Sequence, residues 1–385
     1  MNIKSLLLGS AAALIAVSGA RAADAVTVAE PEPAEYVKIC DVYGSGYFYI
    51  PGTETCLRIG GYVRYDIGAG DIGSYDGARS FDVKSGKDQG TWYKNARFTL
   101  KTWTGQETEL GTLKTYTETR INFGNRNGYG VDSYGDPTFN SAGNKGITLN
   151  FAWIQLGGLR VGKDESAFDT FIGYAGNVIN DTIVPYGGFK TGEVQYYFDA
   201  GNGFSAVVSL EEGYGAYSID SYVPHVVGGV KYTQGWGAIS GVVAYDSAYQ
   251  EVAGKVRLDV NVSNELSLFI IGGYGSDNHY NDLSYALPAH GRGMYKLWGG
   301  NWAVWGGGTY KLSEKASLNA QVSYDDWKDL GVAANIAYDI VPGLTVTAEV
   351  NYQRVGQGAI DNDSVWAGAT KRDNIGGILR FQRSF

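Results

Sequence analysis

The sequence predicts an all-β fold, a 16-stranded antiparallel transmembrane β-barrel with an inward-folded third loop. Segments of about ten residues alternate apolar and polar side chains, which is the length at which a tilted strand crosses a membrane. Short turns and longer polar loops alternate between these segments. The chain has 56 Gly, 29 Tyr and 9 Trp but only 8 Pro. Small residues suit a curved wall, and aromatic rings suit its two interfaces.

Residues 1–22 are predicted to be a secretory signal peptide. Lys4 supplies the positive n-region, residues 6–17 the apolar h-region, and the Ala-Arg-Ala at 20–22 the small-residue cleavage site. The apolar run is too short to span a bilayer, so a membrane anchor is the weaker interpretation. After Val17 the chain has no apolar run long enough for a transmembrane helix, so we expect none.

The expected mature chain is strongly acidic. Loss of Lys4 and Arg21 lowers the basic count from 31 to 29 against 40 acidic residues, which gives a net charge of −11. Nucleic acid is therefore not expected as a partner, because its backbone is bound by an excess of basic residues.

Residues 23–56 are expected to form a periplasmic N-terminal lead-in, and residues 57–385 the barrel. Cys40 and Cys56 are the only cysteines. In an exported chain a disulfide is the default interpretation, and closing a loop of this size stabilises by about 3 kcal/mol in the chain-entropy model. Two free thiols, or half of a metal site, are the alternatives, although no His lies between the two cysteines.

The strand pattern begins at Leu57 and recurs to the C-terminus. The segment 111–123 is the most informative, because one of its faces is wholly polar and charged: Lys114, Tyr116, Glu118, Arg120 and Asn122. A polar face of that length needs water along it, whereas the opposite face of such a strand meets lipid.

The connections are of two kinds. Seven are short and turn-like, at residues 104–108, 157–158, 199–203, 234–237, 263–265, 313–315 and 341–343. Between them lie longer polar loops near 70–90, 124–145, 164–190, 213–224, 276–298 and 355–370, and two tight ones near Ala248 and Trp327. Seven internal turns, with both termini on the turn side, require sixteen strands. A barrel of about that size leaves an aqueous channel.

Residues 164–190 interrupt the alternation. Long loops of this kind are usually functional or disordered, and this one carries too many apolar residues for a solvated linker. It follows the fifth predicted strand and is therefore the third long loop. We expect it to fold into the lumen and to narrow the channel.

Four segments resemble the porins of alphaproteobacterial outer membranes. They are CDVYGSGYFYIPGTETCLRIGGYVRYD at 40–66, FDTFIGYAGNVIND at 168–181, FDAGNGFSAVVSLEEG at 198–213 and the C-terminal LRFQRSF. The resemblance extends over the whole expected mature chain. It implies a homotrimer of water-filled channels in the bacterial outer membrane, surrounded by lipid and lipopolysaccharide, that passes small hydrophilic solutes and ions without a cofactor. The terminal Phe385 resembles the signal by which such barrels are recognised for assembly.

The residues predicted to line a constriction carry opposite charges. The acids assigned to the third loop are Asp164, Glu165, Asp169 and Asp181. The cations on the inward faces of strands one, two, three and five are Arg58, Arg64, Arg97, Lys101, Lys114, Arg120 and Arg160. Crowded like charges need counter-charge or water, so we expect a transverse field that orients polar solutes. For each residue alone, a solvated or structurally paired charge is the alternative.

Outward aromatic residues near strand ends are expected to form the interface girdles. They are Trp92, Trp153, Tyr196, Tyr232, Tyr310, Tyr324 and Tyr352. An outer-membrane enzyme is not supported, because the sequence has neither a G-x-S-x-G elbow nor an H-E-x-x-H motif. A channel selective for a sugar or an anion, or an adhesin-like barrel, is the remaining alternative. Saturable block by one solute would favour a selective channel.

Overall fold

A computed structural model describes residues 38–71, 77–125, 129–131, 137–139, 142–174, 176–276, 293–357 and 371–385. The predicted signal peptide and residues 23–37 of the lead-in lie outside the described residues. Residues 39–385 form one compact unit. Among the helices in the described residues, none has the length and hydropathy to cross a bilayer.

Within the described residues, sixteen long strands pair with their chain neighbours in antiparallel fashion. They are β1 (Cys56–Gly70), β2 (Tyr93–Thr108), β3 (Gly111–Asn125), β4 (Thr148–Leu156), β5 (Leu159–Glu165), β6 (Lys190–Asp199), β7 (Phe204–Glu211), β8 (His225–Gln234), β9 (Gly237–Asp246), β10 (Glu251–Asn261), β11 (Leu266–Gly275), β12 (Trp302–Lys311), β13 (Ala316–Asp325), β14 (Leu330–Val341), β15 (Leu344–Arg354) and β16 (Asp373–Ser384). The all-β, 16-stranded prediction is confirmed.

The last strand closes the barrel on the first. β16 pairs with β1 from Tyr62 opposite Ser384 to Gly70 opposite Gly376. The Gly61 amide donates to the Phe385 carbonyl at 3.0 Å, and the Phe385 amide donates to the Gly61 carbonyl at 3.1 Å. Closure leaves no open edge, which a sheet in lipid requires because lipid offers no hydrogen-bond partner.

Several short elements accompany the barrel. The additional strands are Phe48–Tyr49, Ala78–Phe81, Asp88–Thr91, Tyr129–Val131, Pro137–Phe139 and Ala142–Asn144. Single 3-10 turns occupy Asp41–Tyr43 and Gly215–Tyr217, and one α-helical turn, α1, occupies Ala167–Thr170. The hydroxyl of Ser166 caps α1 by accepting from the Phe168 amide at 3.1 Å.

The predicted turns agree with the strand ends at six of seven places. At 104–108 the prediction was wrong, because β2 stays paired with β3 as far as Thr108 opposite Gly111. The turn lies at residues 109–110, where the Thr108 hydroxyl donates to the Gly111 carbonyl at 2.6 Å. Gly105 is not a turn residue but allows the Tyr43 ring to pack closely against β2, since a Cβ at this position would lie 2.7 Å from that ring.

The two faces of the wall differ as the alternation predicts. Outward side chains of the middle strands are exposed and apolar, including Val243, Val256 and Ile270. Inward side chains of neighbouring strands are polar and buried, including Ser240 and Gln321. An apolar outer face with a polar inner face is the pattern of a barrel that encloses water.

Trp153 does not belong to the outward girdle, and that prediction was wrong. The register between β4 and β3 shifts between Leu149 and Phe151. Beyond this irregularity Phe151 lies opposite Glu118, and Trp153 lies opposite Tyr116. Glu118 and Tyr116 are both inward-facing residues of β3, so Phe151 and Trp153 also face inward. A bulge inserts one residue and so reverses the side to which later side chains point.

Candidate functional site

The third loop, residues 166–189, begins against the inner wall of β7–β12. Its Phe168, Phe171 and Tyr186 belong to one buried cluster that also contains inward side chains of those strands, among them Val242 and Trp305. The rings of Tyr186 and Trp305 stack with centroids 4.9 Å apart, and the Trp305 indole donates to the Val184 carbonyl at 2.9 Å. Apolar contacts therefore hold this part of the loop to the wall.

The tip of the third loop is bound by polar contacts to β13–β15, the next strands along the wall after β12. The Asn335 amide side chain donates to the Asn177 carbonyl at 2.9 Å, and the Gln321 side chain donates to the Asp181 carbonyl at 2.8 Å. The Asn180 amide donates to the Glu349 carboxylate at 2.8 Å. The loop thus contacts inward-facing residues of β10 and β12 near its ends and of β13–β15 at its tip.

Asp169 is an anchor of the loop, which differs from the expectation that it faces the channel. Its side chain is fully buried and forms an ion pair with Lys255, an inward residue of β10 that is also buried. The Lys255 ammonium donates to the Tyr186 carbonyl at 3.1 Å and lies 4.1 Å from the centre of the Phe168 ring. The apolar neighbours turn α1 toward the wall, and Asp169 turns with them.

The other three predicted acids have separate surroundings. Asp164 and Glu165 are the last two residues of β5 and do not lie in the loop. Asp164 is buried and accepts from the Arg160 guanidinium at 2.7 Å, whereas Glu165 is half-buried and accepts from the Tyr174 hydroxyl at 3.0 Å. Asp181 lies within the loop and is also half-buried. Glu165 and Asp181 are therefore the two of these four acids that remain partly exposed.

The predicted cations of β1–β3 come together on neighbouring strands. Arg64 lies directly opposite Arg97, and the Arg97 Nε donates to Asn122 at 2.8 Å. Arg120 lies opposite Thr99, one step further along the same face. Such close guanidinium groups need anions or water between them.

Glu118 supplies much of this compensation. Its carboxylate is 2% exposed and lies 2.7 Å from Arg120 and 3.3 Å from Lys101. It also accepts from the Tyr116 hydroxyl and the Asn150 side chain, each at 2.8 Å. These bonds fix the positions of two of the predicted cations.

Arg380 of β16 is a further wall cation that sequence reasoning missed. Its guanidinium makes two bonds to Asp66, at 2.7 and 3.1 Å, and Asp66 lies 3.4 Å from Arg64. The signal was present, because Arg380 has inward parity in the C-terminal strand and that strand is the neighbour of β1. We name Arg64, Arg97, Arg120 and Arg380 the basic wall.

The remaining three predicted cations lie nearer the short turns. Arg160 is held by Asp164 and by Gln155, whose side-chain oxygen accepts two bonds from it at 2.8 and 3.0 Å. Arg58 lies 4.5 Å from the centre of the Trp103 ring. Lys114 is exposed and lies opposite Gly105. The seven predicted cations therefore divide into two groups along the channel.

The Cys40–Cys56 disulfide is present, with the two Cα atoms 6.1 Å apart. It closes a segment in which Phe48–Tyr49 pairs with the first residues of β1. The Tyr43 hydroxyl in this segment donates to Glu107 of β2 at 3.0 Å. The segment is thereby tied to the turn-side end of the barrel.

Asp181 predicts a pH dependence of ion selectivity. Burial, with Glu349 and Glu165 nearby, raises its pKa to about 6, while Arg380 opposes the rise. Above about pH 6 the carboxylate is charged and favours cations, and below that pH it is neutral. When the pH is lowered from about 7.5 to about 5, the reversal potential in a KCl gradient should therefore shift toward that of chloride. Asp181→Asn should remove most of that shift.

The matched control for this pH experiment is Asp220→Asn, an exposed acid of the fourth loop. It should leave the pH-dependent shift unchanged. A full shift retained in the Asp181→Asn variant would assign the effect to another group.

Comparison with known proteins agrees with this architecture. Residues 24–378 match the family model described as the Porin subfamily. Over 396 aligned residues the chain is 52% identical to the Porin Omp2b of Brucella suis and to that of Brucella melitensis, with 100% of this chain and of each relative covered.

Two solved structures share the fold at low sequence identity. The outer membrane channel DcaP of Acinetobacter baumannii has a TM-score of 0.57 at 16% identity, covering 88% of this chain and 99% of that one. OprB of Pseudomonas putida has a TM-score of 0.56 at 10% identity, covering 86% and 94%. At these identities the likeness concerns the barrel fold alone.

Proposed function

The chain belongs to the porin family and forms an outer-membrane channel for diffusion of small solutes, and we propose that its selectivity is set between the basic wall and the third loop. One observation carries this proposal. Asp181 and Glu165 lie within electrostatic reach of Arg380 and Arg120, respectively. One acid of the third loop and one acid at the end of β5 therefore interact with cations of the wall.

Opposed charges of this kind act on solutes without any chemical step. A field across a narrow, water-filled passage orients dipolar and charged solutes, and it disfavours apolar ones because they cannot replace the ordered water. The bonds that hold the loop to β10 and β13–β15 keep Asp181 at a constant distance from the wall. The proposed constriction is thus a preorganised one.

We also propose that residues 1–22 are removed on export. The disulfide-closed segment would then lie at the periplasmic mouth, because the short turns of such barrels face the periplasm. Its tie to β2 through Tyr43 and Glu107 supports this placement.

A homotrimer is the proposed assembly, with its contact on the outward face of β2 and β3. That face carries two pairs of hydrogen-bonded threonines, Thr102 with Thr117 at 2.5 Å and Thr104 with Thr115 at 2.6 Å. Hydroxyl groups gain little from acyl chains, but they pack closely at contacts between membrane proteins. Lipid and lipopolysaccharide would surround the remaining outer wall, where outward residues such as Val243 are large and apolar.

Thr117→Trp tests the location of this contact. A bulky ring at the centre of the proposed interface should prevent close approach and convert most of the trimer to monomer, as measured by native mass spectrometry in detergent. Val243→Trp places the same ring on an exposed outward site of β9 and should leave the trimer intact. Trimers that persist in Thr117→Trp, or a monomeric unmodified protein, would contradict the proposal.

A further inference from the structure

A ladder of aromatic rings crosses the inward face of β2–β4 close to the short turns. The rings of Trp103 and Tyr116 have centroids 5.3 Å apart and planes inclined by 26°. Tyr116 lies 5.6 Å from Trp153 and 5.4 Å from Phe151. We name these four residues the aromatic ladder.

The strand register explains why these rings meet. Trp103 lies opposite Tyr116, which in turn lies opposite Trp153, so the three side chains share one row on the inner face. The irregularity after Leu149 adds Phe151 to the same face. Without that register shift Trp153 would point to lipid.

The aromatic ladder has no part in holding the third loop. None of its members belongs to the buried cluster that fixes the loop to β7–β12. All four side chains lie on the inner face and are only half-buried, and Arg160 covers one face of the Trp153 ring at 4.0 Å. Apolar ring surface that remains in contact with water is available to a solute.

Two cations adjoin the aromatic ladder without an acidic partner. Arg58 stacks on Trp103 at 4.5 Å, and Lys114 precedes Tyr116 by two residues on the same face of β3. Both are exposed, and within the described part of the chain neither makes an ion pair. A guanidinium stacked on a ring keeps its N–H donors in its own plane, where a carboxylate can accept them in pairs.

We propose that the aromatic ladder, with Arg58 and Lys114, binds carboxylates that carry an aromatic ring as they pass through the channel. The ring would pack on Trp103, Tyr116 and Trp153, and the carboxylate would accept from the two cations. An inorganic anion uses only the cations, and an uncharged apolar solute uses only the rings. This inference rests on the proposed function, since it names a solute class favoured by the same channel.

Benzoate and acetate separate the two contributions, because they share a carboxylate and differ in the ring. In planar bilayers, added sodium benzoate should reduce the KCl current saturably, whereas sodium acetate at equal concentration should not. The double variant Trp103→Leu/Trp153→Leu should raise the half-blocking benzoate concentration by about tenfold. Arg58→Gln keeps the rings and should raise it by about fivefold, and Arg58→Lys should recover part of the loss.

Tyr310→Leu is the matched control, because this ring is exposed on the outer face of β12. Benzoate should block this variant at the same concentration at which it blocks the unmodified protein. Equal block by benzoate and acetate, or no block in a channel that conducts KCl, would overturn this inference and leave the proposed function standing. A protein without KCl conductance would overturn the proposed function itself.

Discussion

Lys255→Met is expected to weaken the hold of the third loop and to lower the stability of the barrel. The change leaves the Asp169 carboxylate buried without its cation, and losing one partner of a buried ion pair costs about 3–5 kcal/mol. Asp169 can take up a proton instead, since burial already raises its pKa. The free energy of unfolding in urea with lipid vesicles should therefore fall most at neutral pH and less in acid.

The same variant, Lys255→Met, should also show an unsteady single-channel current. A loop released from β10 still holds to β13–β15 through Glu349 and Gln321, so we expect current fluctuations in single channels and not a permanently wider pore. The loss depends on the uncompensated charge, so the double variant Lys255→Met/Asp169→Leu should recover most of the stability.

Lys231→Met is the matched single-site control for this experiment. Lys231 lies 4.8 Å from the centre of the Phe171 ring in the third loop. No ion pair involves it in the described part of the chain, so its loss should have a small effect. Equal destabilisation by Lys231→Met and Lys255→Met would show that the buried pair is not the anchor.

Arg97→Gln combined with Arg120→Gln is expected to shift ion selectivity toward cations. Each charge acts on a passing ion with about 0.5–1 kcal/mol at ~5 Å in water. The two charges together act with about 1–2 kcal/mol, so the permeability ratio of potassium to chloride should rise by roughly five- to thirtyfold for the pair at low salt. Because mobile ions screen such charges, the shift should shrink as the salt concentration rises.

Neither substitution removes a buried partner, so the folded barrel should persist. Arg120 is 30% exposed and Glu118 keeps Lys101, Tyr116 and Asn150 as partners. Lys315→Gln is the control, since Lys315 lies in the short turn between β12 and β13, away from the basic wall. It should change the permeability ratio little.

Most of the barrel could be predicted because its determinants are local. A strand in lipid must alternate, since every outward residue meets acyl chains and every inward one meets water. Turn residues such as the Gly pair at 157–158 and Pro342–Gly343 end strands by their own backbone preferences. These two signals together predict the number of strands and the alternation of long and short connections.

The parts that could not be predicted depend on contacts between distant residues. Asp169 meets Lys255 across 86 positions of sequence, and no local pattern indicates which inward residue a loop acid will reach. The register shift after Leu149 has no turn residue to mark it, so the inward position of Trp153 was missed. The assignment of Asp164 and Glu165 to the loop failed at a strand end, where polarity does not separate strand from loop.

The reversal potential in a KCl gradient, recorded for the unmodified protein and for Arg97→Gln/Arg120→Gln in the same bilayers, tests the proposed constriction most directly. We expect stepwise conductance from both proteins and a reversal potential displaced toward that of potassium in the variant. Equal reversal potentials would show that the basic wall does not face the path of the ions. Absence of conductance in the unmodified protein would contradict the channel itself.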